Sequence, residues 1–399
     1  MISFDAAIGL IGSTLQAGTS APERISVPDA AGRYLSHDAV ARMDVPAFDR
    51  SAVDGYAVLP DDPGPVYQIL TTIKPGSPGT MRLEKGMTVK IMTGAVVPEG
   101  VGRIQMVEHT AIGPDGRVQF LKSSSASNIC RRGEDRKSGQ TVLPAGTRLD
   151  PESLAALTMC GIREVDVIRK PRVAVLSTGD EIIASMEDWA PGKVMNLNGP
   201  MLAALCERHG GAVSVQALAG DTRQRLATLL RDALGQSDLV LFSGGVSAGD
   251  FDFIPDTVRE AGLSIHFTKV AVKPGKPVLF ATGAGGIVVG LPGNPVSAYL
   301  DFHLFVLPVM ARLMGLPAVP VRELSAPLAR TFQRRAAERR EYVPCRLTRA
   351  GLAEQLDYNG SGHFAALWQA DGFFVVEAGR AMIEAGSPVP VLLTRLVRP

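Results

Sequence analysis

The stretch LVLFSGGVSAGDFDF, residues 239–253, breaks off an apolar run at Ser243, passes into glycine and small residues, and ends on Asp250 and Asp252. Gly244 and Gly245 leave backbone N–H groups open to close approach by a phosphate, and a following helix would add its dipole. Ser243, Gly244, Gly245 and Ser247 are therefore candidate ligand-binding residues. Three more loops carry related chemistry: STGDE (177–181), KPGKP (273–277) and LPGNP (291–295). Asp180, Glu181, Asp221 and Asp250 are hard oxygen donors, the type that holds Mg2+ beside phosphate oxygens. Lys273 and Lys276, stiffened by prolines, bring two ammonium groups for an oxyanion such as phosphate or a tetrahedral oxometalate. Each feature also has a plainer reading. Asp250 and Asp221 would serve as helix N-caps, the lysines as solvated surface, and LPGNP as a structural turn.

These loops need a scaffold that brings them to one edge. RVAVLS (172–177), AVSVQAL (212–218) and DLVLF (238–242) are near-continuous Val, Leu and Ala runs alternating with helical stretches, followed by SIHFTKV, PVLFAT and GIVVG. That rhythm predicts a parallel sheet covered on both faces, a three-layer α/β domain over 171–317. Asn198 is the expected N-cap of the first helix and Gly210-Gly211 its stop; Asp221 is expected to cap the second. Ligands of such sheets bind beyond the carboxyl ends of the strands, where all four loops fall. Residues 44–135 carry short alternating segments and many turns, so an inserted β-rich domain is expected there. Residues 1–43 with 136–170 read as a helical domain, with Asp150-Pro151 opening one helix and Gly161 closing it. After Pro317 no helix is evident, and EYVPCRL, GFFVVEAG and PVPVLLTRL predict a C-terminal β domain over 318–399.

Bulk properties restrict the function. With 41 basic and 40 acidic side chains among 399 residues the net charge is +1, so neither nucleic acid nor an anionic membrane is an expected partner. The four cysteines, Cys130, Cys160, Cys206 and Cys345, include no CxxC pair, which fits a reducing compartment and excludes a cysteine-rich zinc site. MISFDAAIGLIGSTLQ reads as an amphipathic helix rather than a signal peptide, and no apolar run reaches about 18 residues; a cytoplasmic protein is expected. No GxxxxGK[ST], GxGxxG, HExxH or GxSxG motif is present, and the six histidines are scattered. Electrostatic and metal-assisted group transfer is the chemistry that remains.

Taken together, FDRSAVDGYAV (48–58), TGAVVPEG (93–100), RRGED (131–135), STGDE, SGGVSAGDFD, KPGKP and LPGNPVSA occur in the order and spacing of the molybdopterin molybdenumtransferases, the molybdenum insertases of the MoeA and gephyrin E-domain family. The resemblance covers most of the chain. It implies elongated homodimers with four domains per subunit, the third a MoaB/Mog-like α/β molybdopterin-binding domain and the last a β-barrel-like one. It also implies the reaction: adenylylated molybdopterin and molybdate give molybdenum cofactor and AMP with a divalent metal, usually Mg2+. Residue by residue, Glu181, Asp221 and Asp250 become the metal and pyrophosphate-facing acids. Lys273, Lys276 and Ser297 hold molybdate or the nucleotide phosphate, and Pro292 and Pro295 shape the wall. Asp54 and Thr93, with Asp135 nearby, belong to the β module that reaches the partner subunit's site, although Asp54-Gly55 alone reads as a hairpin turn. Arg339 and Ser361 fall where the family places pterin or oxyanion contacts. Upstream adenylyltransferases and downstream molybdoenzymes or their chaperones are the partners it suggests. The chain departs from the family at Cys130, Gly100-Val101-Gly102, Pro344 and Asn196-Leu197. Two alternatives are molybdopterin adenylyl transfer and a molybdopterin-binding scaffold with reduced turnover.

Overall fold

The computed structural model describes the chain except residues 17, 19–20, 63, 123–125, 247–251, 318–321, 359, 361, 363 and 396–399. It divides into two compact units, residues 22–168 and a second that joins residues 1–21 to 169–399.

In the second unit six strands, β1 (Arg172–Thr178), β2 (Ala212–Ala219), β3 (Leu239–Ser243), β4 (Ser264–Lys269), β5 (Pro277–Gly283) and β6 (Gly286–Leu291), lie in the order β2-β1-β3-β6-β5-β4. Strands β2, β1, β3 and β6 run parallel. β1 and β3 can carry unbroken apolar runs, Val173–Leu176 and Leu239–Phe242, because both faces are covered. Ala174, Leu176, Val240 and Phe242 pack against Leu226 and Leu230 of helix α1 (Arg223–Gln236) and Ile254 and Val258 of helix α2 (Ile254–Glu260). Their neighbours Val173, Val175, Leu239 and Leu241 are equally inaccessible. The helix Asn198–Arg208 lies against β1 and β2, and the helical run Pro295–Leu313 adjoins it and β6.

The sheet departs from the all-parallel expectation at β5, which runs antiparallel to both β6 and β4. The reason is local: only Ala284 and Gly285 separate β5 from β6, and so short a connection closes a hairpin but not a crossover. As a result β5 starts at the edge where β1, β3 and β6 end, which keeps KPGKP beside the other loops.

The run Pro295–Leu313 is 19 residues long and apolar enough to cross a membrane, yet 83% of it is buried inside this unit. Its middle, Phe302–Val306, is a π turn that ends just before Pro308, which has no N–H to give to the carbonyl one turn back.

Residues 1–21 do not join the domain expected at 1–43. The helix Phe4–Thr14 buries Ala7 and Ile11 and packs against the segment Leu307–Leu313. Arg312 donates to the carbonyls of Gly12 (2.6 Å) and Leu15 (2.9 Å), satisfying C-terminal groups that the helix leaves open. Further along the chain, Arg340–Leu347, Gly372–Val376, Pro388–Leu393 and Arg322–Pro327 make a sheet over Cys345, Phe374, Val376 and Val391. One short helix, Ala365–Gln369, occurs where the sequence shows none.

Residues 22–168 contain a six-stranded sheet in which Gly55–Val58 lies between Arg103–Met106 and Met87–Ile91, over a core that includes Ala57, Val89, Ile91 and Ile104. Beside it, the flanking segments are less helical than expected. Pro151–Met159 is a helix, with Asp150 accepting from Ser153 N (2.9 Å), but Glu23–Ser26 pairs with Glu164–Val167 and Ala39–Val40 with Thr141–Leu143. Val27, Leu35, Leu149, Leu157 and Val165 share one small core there.

Candidate functional site

The carboxyl edge of the α/β sheet encloses a cavity of about 760 Å3. Glu181 reaches it from the loop after β1, Asp221 from the loop after β2, and Ser243, Gly244, Gly245 and Asp252 from the segment after β3; Pro292 and Pro295 close the side beyond β6. Seven expected site residues thus meet in one space. Gly244 and Gly245 have φ of +100° and +66°. A Cβ on Gly244 would stand 2.6 Å from the backbone oxygen of Thr178, so this close passage of two strand ends needs glycine.

Neutral hydrogen bonds fix the wall. Asn198 is not the N-cap expected of it: it is the first helical residue, and its amide donates to Ser243 Oγ (2.7 Å) and to the carbonyl of Gly293 (2.7 Å). Asn196 takes the capping role, its Oδ1 accepting from Gly199 N (3.0 Å) and from Ser177 Oγ (2.9 Å). Asn198 Oδ1 and Thr178 Oγ1 are buried at the cavity wall without a hydrogen-bond partner, which suits a ligand with polar edges.

Asp221 is not a helix cap either. Thr222 occupies that position without a side-chain bond, and the Asp221 N–H donates to Asp180 Oδ1 (3.0 Å). Burial first, and then Asp180, Glu181 and Asp252, raise the Asp221 carboxyl above its ordinary range. Acids gathered at one edge fit a divalent ion. Among the described residues no three His, Cys, Asp or Glu side chains already converge on one point. Asp250, Ser247 and Ser361 lie outside the described residues.

Lys273, Lys276 and Ser297 do not line the cavity; its wall on that side is Pro277 and Pro295. Lys276 and Ser297 lie one and two residues from the wall residues Pro277 and Pro295, and Lys273 opens a neighbouring corner. Val272–Lys273 pairs with Arg340–Glu341, so residues 68 positions apart lie side by side. Lys273 Nζ meets Glu341 Oε1 at 2.8 Å, and Glu341 Oε2 meets Arg334 at 3.1 Å. Arg334 is buried and also donates to the carbonyls of Glu377, Arg339 and Arg380. Arg339 in turn donates to the carbonyl of Val272 (3.1 Å). Lys276 is exposed, whereas Ser297 is buried in the first turn of its helix. Below the loop Gly275, with φ +99°, touches the carboxyl of Asp301, which is fully buried with neither oxygen bonded. Burial holds that carboxyl well above its ordinary range. Sequence reasoning missed Glu341, Arg334, Asn196 and Asp301. Only Glu341, next in register to a lysine across a ladder, had a signal, and that signal needs the pairing.

Within residues 22–168, Asp54 and Thr93 are exposed and adjacent: Asp54 Oδ1 accepts from Thr93 N (2.6 Å) and Thr93 Oγ1 (2.8 Å). These bonds, the backbone one foremost, hold the Asp54 carboxyl below its usual range. Asp54-Gly55 does not turn a hairpin; it opens the strand Gly55–Val58, where a Cβ would strike the carbonyl of Gln105. Asp135 is exposed, with its N–H on the carbonyl of Val45 (2.9 Å). Its loop is pinned by Arg131 to Asp49 and Arg132 to Asp44, both at 2.6 Å.

Three family descriptions match in succession: the MoeA N-terminal region (domain I and II) at residues 2–161, "Probable molybdopterin binding domain" at 174–312, and the MoeA C-terminal region (domain IV) at 325–394. A molybdopterin molybdenumtransferase of Haemophilus influenzae is 34% identical over 385 residues, covering 92% of this chain and 93% of its own. One from Staphylococcus epidermidis is 33% identical over 380 residues, covering 93% and 90%. Two crystal structures of a molybdopterin biosynthesis MoeA protein from Pyrococcus horikoshii superpose with TM-scores of 0.84 and 0.80, at 25% and 27% identity and 98% coverage of this chain. On sequence over nearly its whole length, and on fold, this chain belongs to the molybdopterin molybdenumtransferase (MoeA) family.

Proposed function

We propose that this chain transfers molybdenum from molybdate to adenylylated molybdopterin with release of AMP, and that the reaction takes place at the carboxyl edge of the α/β sheet. The observation that carries this placement is the meeting of Glu181, Asp221, Gly244 and Gly245 in one cavity, with Lys273 and Arg339 in the adjoining corner. The Gly244 N–H is spent on the carbonyl of Leu291 (3.0 Å), so of the two glycines it is Gly245 that would present its N–H to a phosphate. Asn198 and Ser177–Asn196 hold the strand ends at fixed separation, so the substrate meets a preformed wall. Glu181 and Asp221, with Asp250 from its sequence position, would hold Mg2+, which when bound neutralises phosphoanhydride oxygens as charge accumulates. Lys273, Lys276 and Arg339 hold the tetrahedral oxyanion, with Ser297 and Ser361 contributing as the family resemblance implies. Asp54, Thr93 and Asp135 complete the cavity of a second subunit in a homodimer. Adenylyl transfer is not favoured, because the family match extends across the N- and C-terminal regions as well as the α/β domain.

The test is AMP release from adenylylated molybdopterin with and without molybdate. Wild type should release AMP on adding molybdate and Mg2+, and both Glu181→Gln and Asp250→Ala should abolish it with the fold intact. Normal turnover by either variant would remove that acid from the reaction. Sedimentation at several concentrations tests the dimer, and mixing Asp54→Ala with Glu181→Gln subunits should restore up to a quarter to a half of the activity if sites are shared.

A further inference from the structure

We infer that Asp301 is a positioning residue for the oxyanion: its carboxyl seats Gly275 and thereby sets where Lys273 and Lys276 emerge from the KPGKP loop. The inference rests on the reading above, in which those lysines receive molybdate.

Asp301 is the only carboxyl in the run Pro295–Leu313, and it is fully buried with no hydrogen bond at either oxygen. Burying a polar group without a partner is costly, and the equally buried neighbours Leu300 and Phe302 show the apolar choice that avoids the cost. A residue that breaks the local rule in this way calls for a reason in what it touches.

What it touches is the loop. A Cβ on Gly275 would stand 2.6 Å from Asp301 Cγ and closer still to both oxygens, so the carboxyl lies directly against the Gly275 backbone. Ser297 and Asp301, four positions apart, share one face of the helix Pro295–Asp301. The acid therefore stands one turn along from the serine already assigned to the oxyanion.

The loop is short and stiff. Pro274 and Pro277 fix φ on either side of Gly275-Lys276, and Gly275 is itself buried with φ +99°. Its ends are tied by the ladder of Val272–Lys273 with Arg340–Glu341 and by the Val270 N–H on the Lys276 carbonyl (2.9 Å). Between those ties, the height of Gly275 over the helix decides the separation and direction of the two ammonium groups. A carboxyl is flat and its oxygens are smaller than methyl groups, so Gly275 comes closer to the helix than a leucine would allow. Truncation to alanine has the opposite fault, because it leaves a void under the loop. Two cations must stand in register to grip one tetrahedral anion, and a small misplacement weakens such charge-assisted contacts.

The test is molybdate-dependent AMP release by the full chain in Mg2+, with the half-saturating molybdate concentration and the maximal rate read separately. Asp301→Ala should raise the half-saturating concentration about tenfold and leave the maximal rate within about twofold, because only the cations that receive the anion have moved. Asp301→Asn keeps the shape and should stay within about threefold of wild type in both. Asp301→Leu fills the space with apolar atoms, which would satisfy a merely structural role, yet its methyl groups lift Gly275 and should also raise the half-saturating concentration about tenfold. The proposal is overturned if Asp301→Leu keeps the molybdate dependence of wild type, if Asp301→Asn loses as much as Asp301→Leu, or if the maximal rate falls while half-saturation is unchanged. Should Asp301→Ala fail to fold, the leucine and asparagine variants decide alone. Lys273→Met separates this proposal from the reading beneath it. If AMP release by wild type ignores molybdate, or Lys273→Met leaves half-saturation unchanged, that reading fails; if Lys273→Met raises it and Asp301→Leu does not, the Asp301 seat alone falls.

Discussion

The acidic rim of the cavity and the cationic corner next to it solve the problem of placing charge in opposite ways. At the rim, backbone geometry and neutral side chains do the positioning: Gly244 passes under Thr178, Asn198 joins Ser243 to Gly293, and Asn196 joins Ser177 to Gly199. Asp221 is pushed above its ordinary range by burial and its acidic neighbours. At the corner, charges position each other, Lys273 through Glu341 and Glu341 through buried Arg334. The rim therefore gathers like charges that a cation would relieve, whereas at the corner Glu341 already meets Lys273 and Arg334, so an incoming anion must share Lys273 with Glu341.

That contrast predicts different kinds of damage. The largest loss should come from the rim's backbone. Gly244→Ala brings a Cβ to 2.6 Å from a main-chain oxygen at a φ of +100°, so the segment must shift. AMP release should fall about 100-fold or more, the scale seen when a donor to developing charge is misplaced, with circular dichroism unchanged. Turnover near wild type would show that the cradle is not used. Next is Lys273→Met at the corner, which removes one charge-assisted bond: the half-saturating molybdate concentration should rise about 10- to 100-fold. Glu341→Gln should affect molybdate less and stability more, because the guanidinium of Arg334, whose side chain is 4% exposed, loses its carboxylate. A cost of about 1–3 kcal/mol is expected in denaturant titrations. If instead Glu341→Gln matches Lys273→Met in its effect on molybdate and leaves stability alone, the corner is not held by its charges.

The rim was largely legible in the sequence and the corner was not, for the same physical reason. SGGVSAGD, STGDE and LPGNP follow strands whose apolar runs reveal them, and strand ends of such a sheet share an edge whatever the details of packing. Even the reversal of β5, which the apolar run PVLFAT cannot show, left KPGKP on that edge. The roles of Asn198 and Asp221 were misread because capping was judged from proximity to a helix start. A one- or two-residue shift turned Asn198 inward and gave the capping to Asn196. Glu341 and Arg334 had no local signal. Their meaning depends on a two-residue ladder between Val272–Lys273 and Arg340–Glu341, a pairing between segments about 70 residues apart that no periodicity encodes. The first helix failed similarly: its amphipathic pattern was clear, but the surface it covers, around Leu307–Leu313, is set by the far end of the chain.

The smallest expected effect tests the central point of the contrast, that Asp221 is held among like charges at the rim. A carboxyl whose folded pKa is raised contributes stability that is complete below its unfolded value and is lost as pH rises through the folded one. For Asp221 that window runs upward from the ordinary carboxylate value of 3.8. At neutral pH the ionised group therefore opposes folding, and Asp221→Asn, lacking the charge, should melt on the order of 1 °C higher than wild type without divalent ions. Lowering the pH into the carboxylate range should close that gap by protonating wild type. Adding Mg2+ should reverse the order, since the ion stabilises the carboxylate-bearing chain more than the amide. If instead Asp221→Asn melts lower than wild type in chelator at pH 7, Asp221 is already compensated within the chain, and the rim no longer differs from the corner.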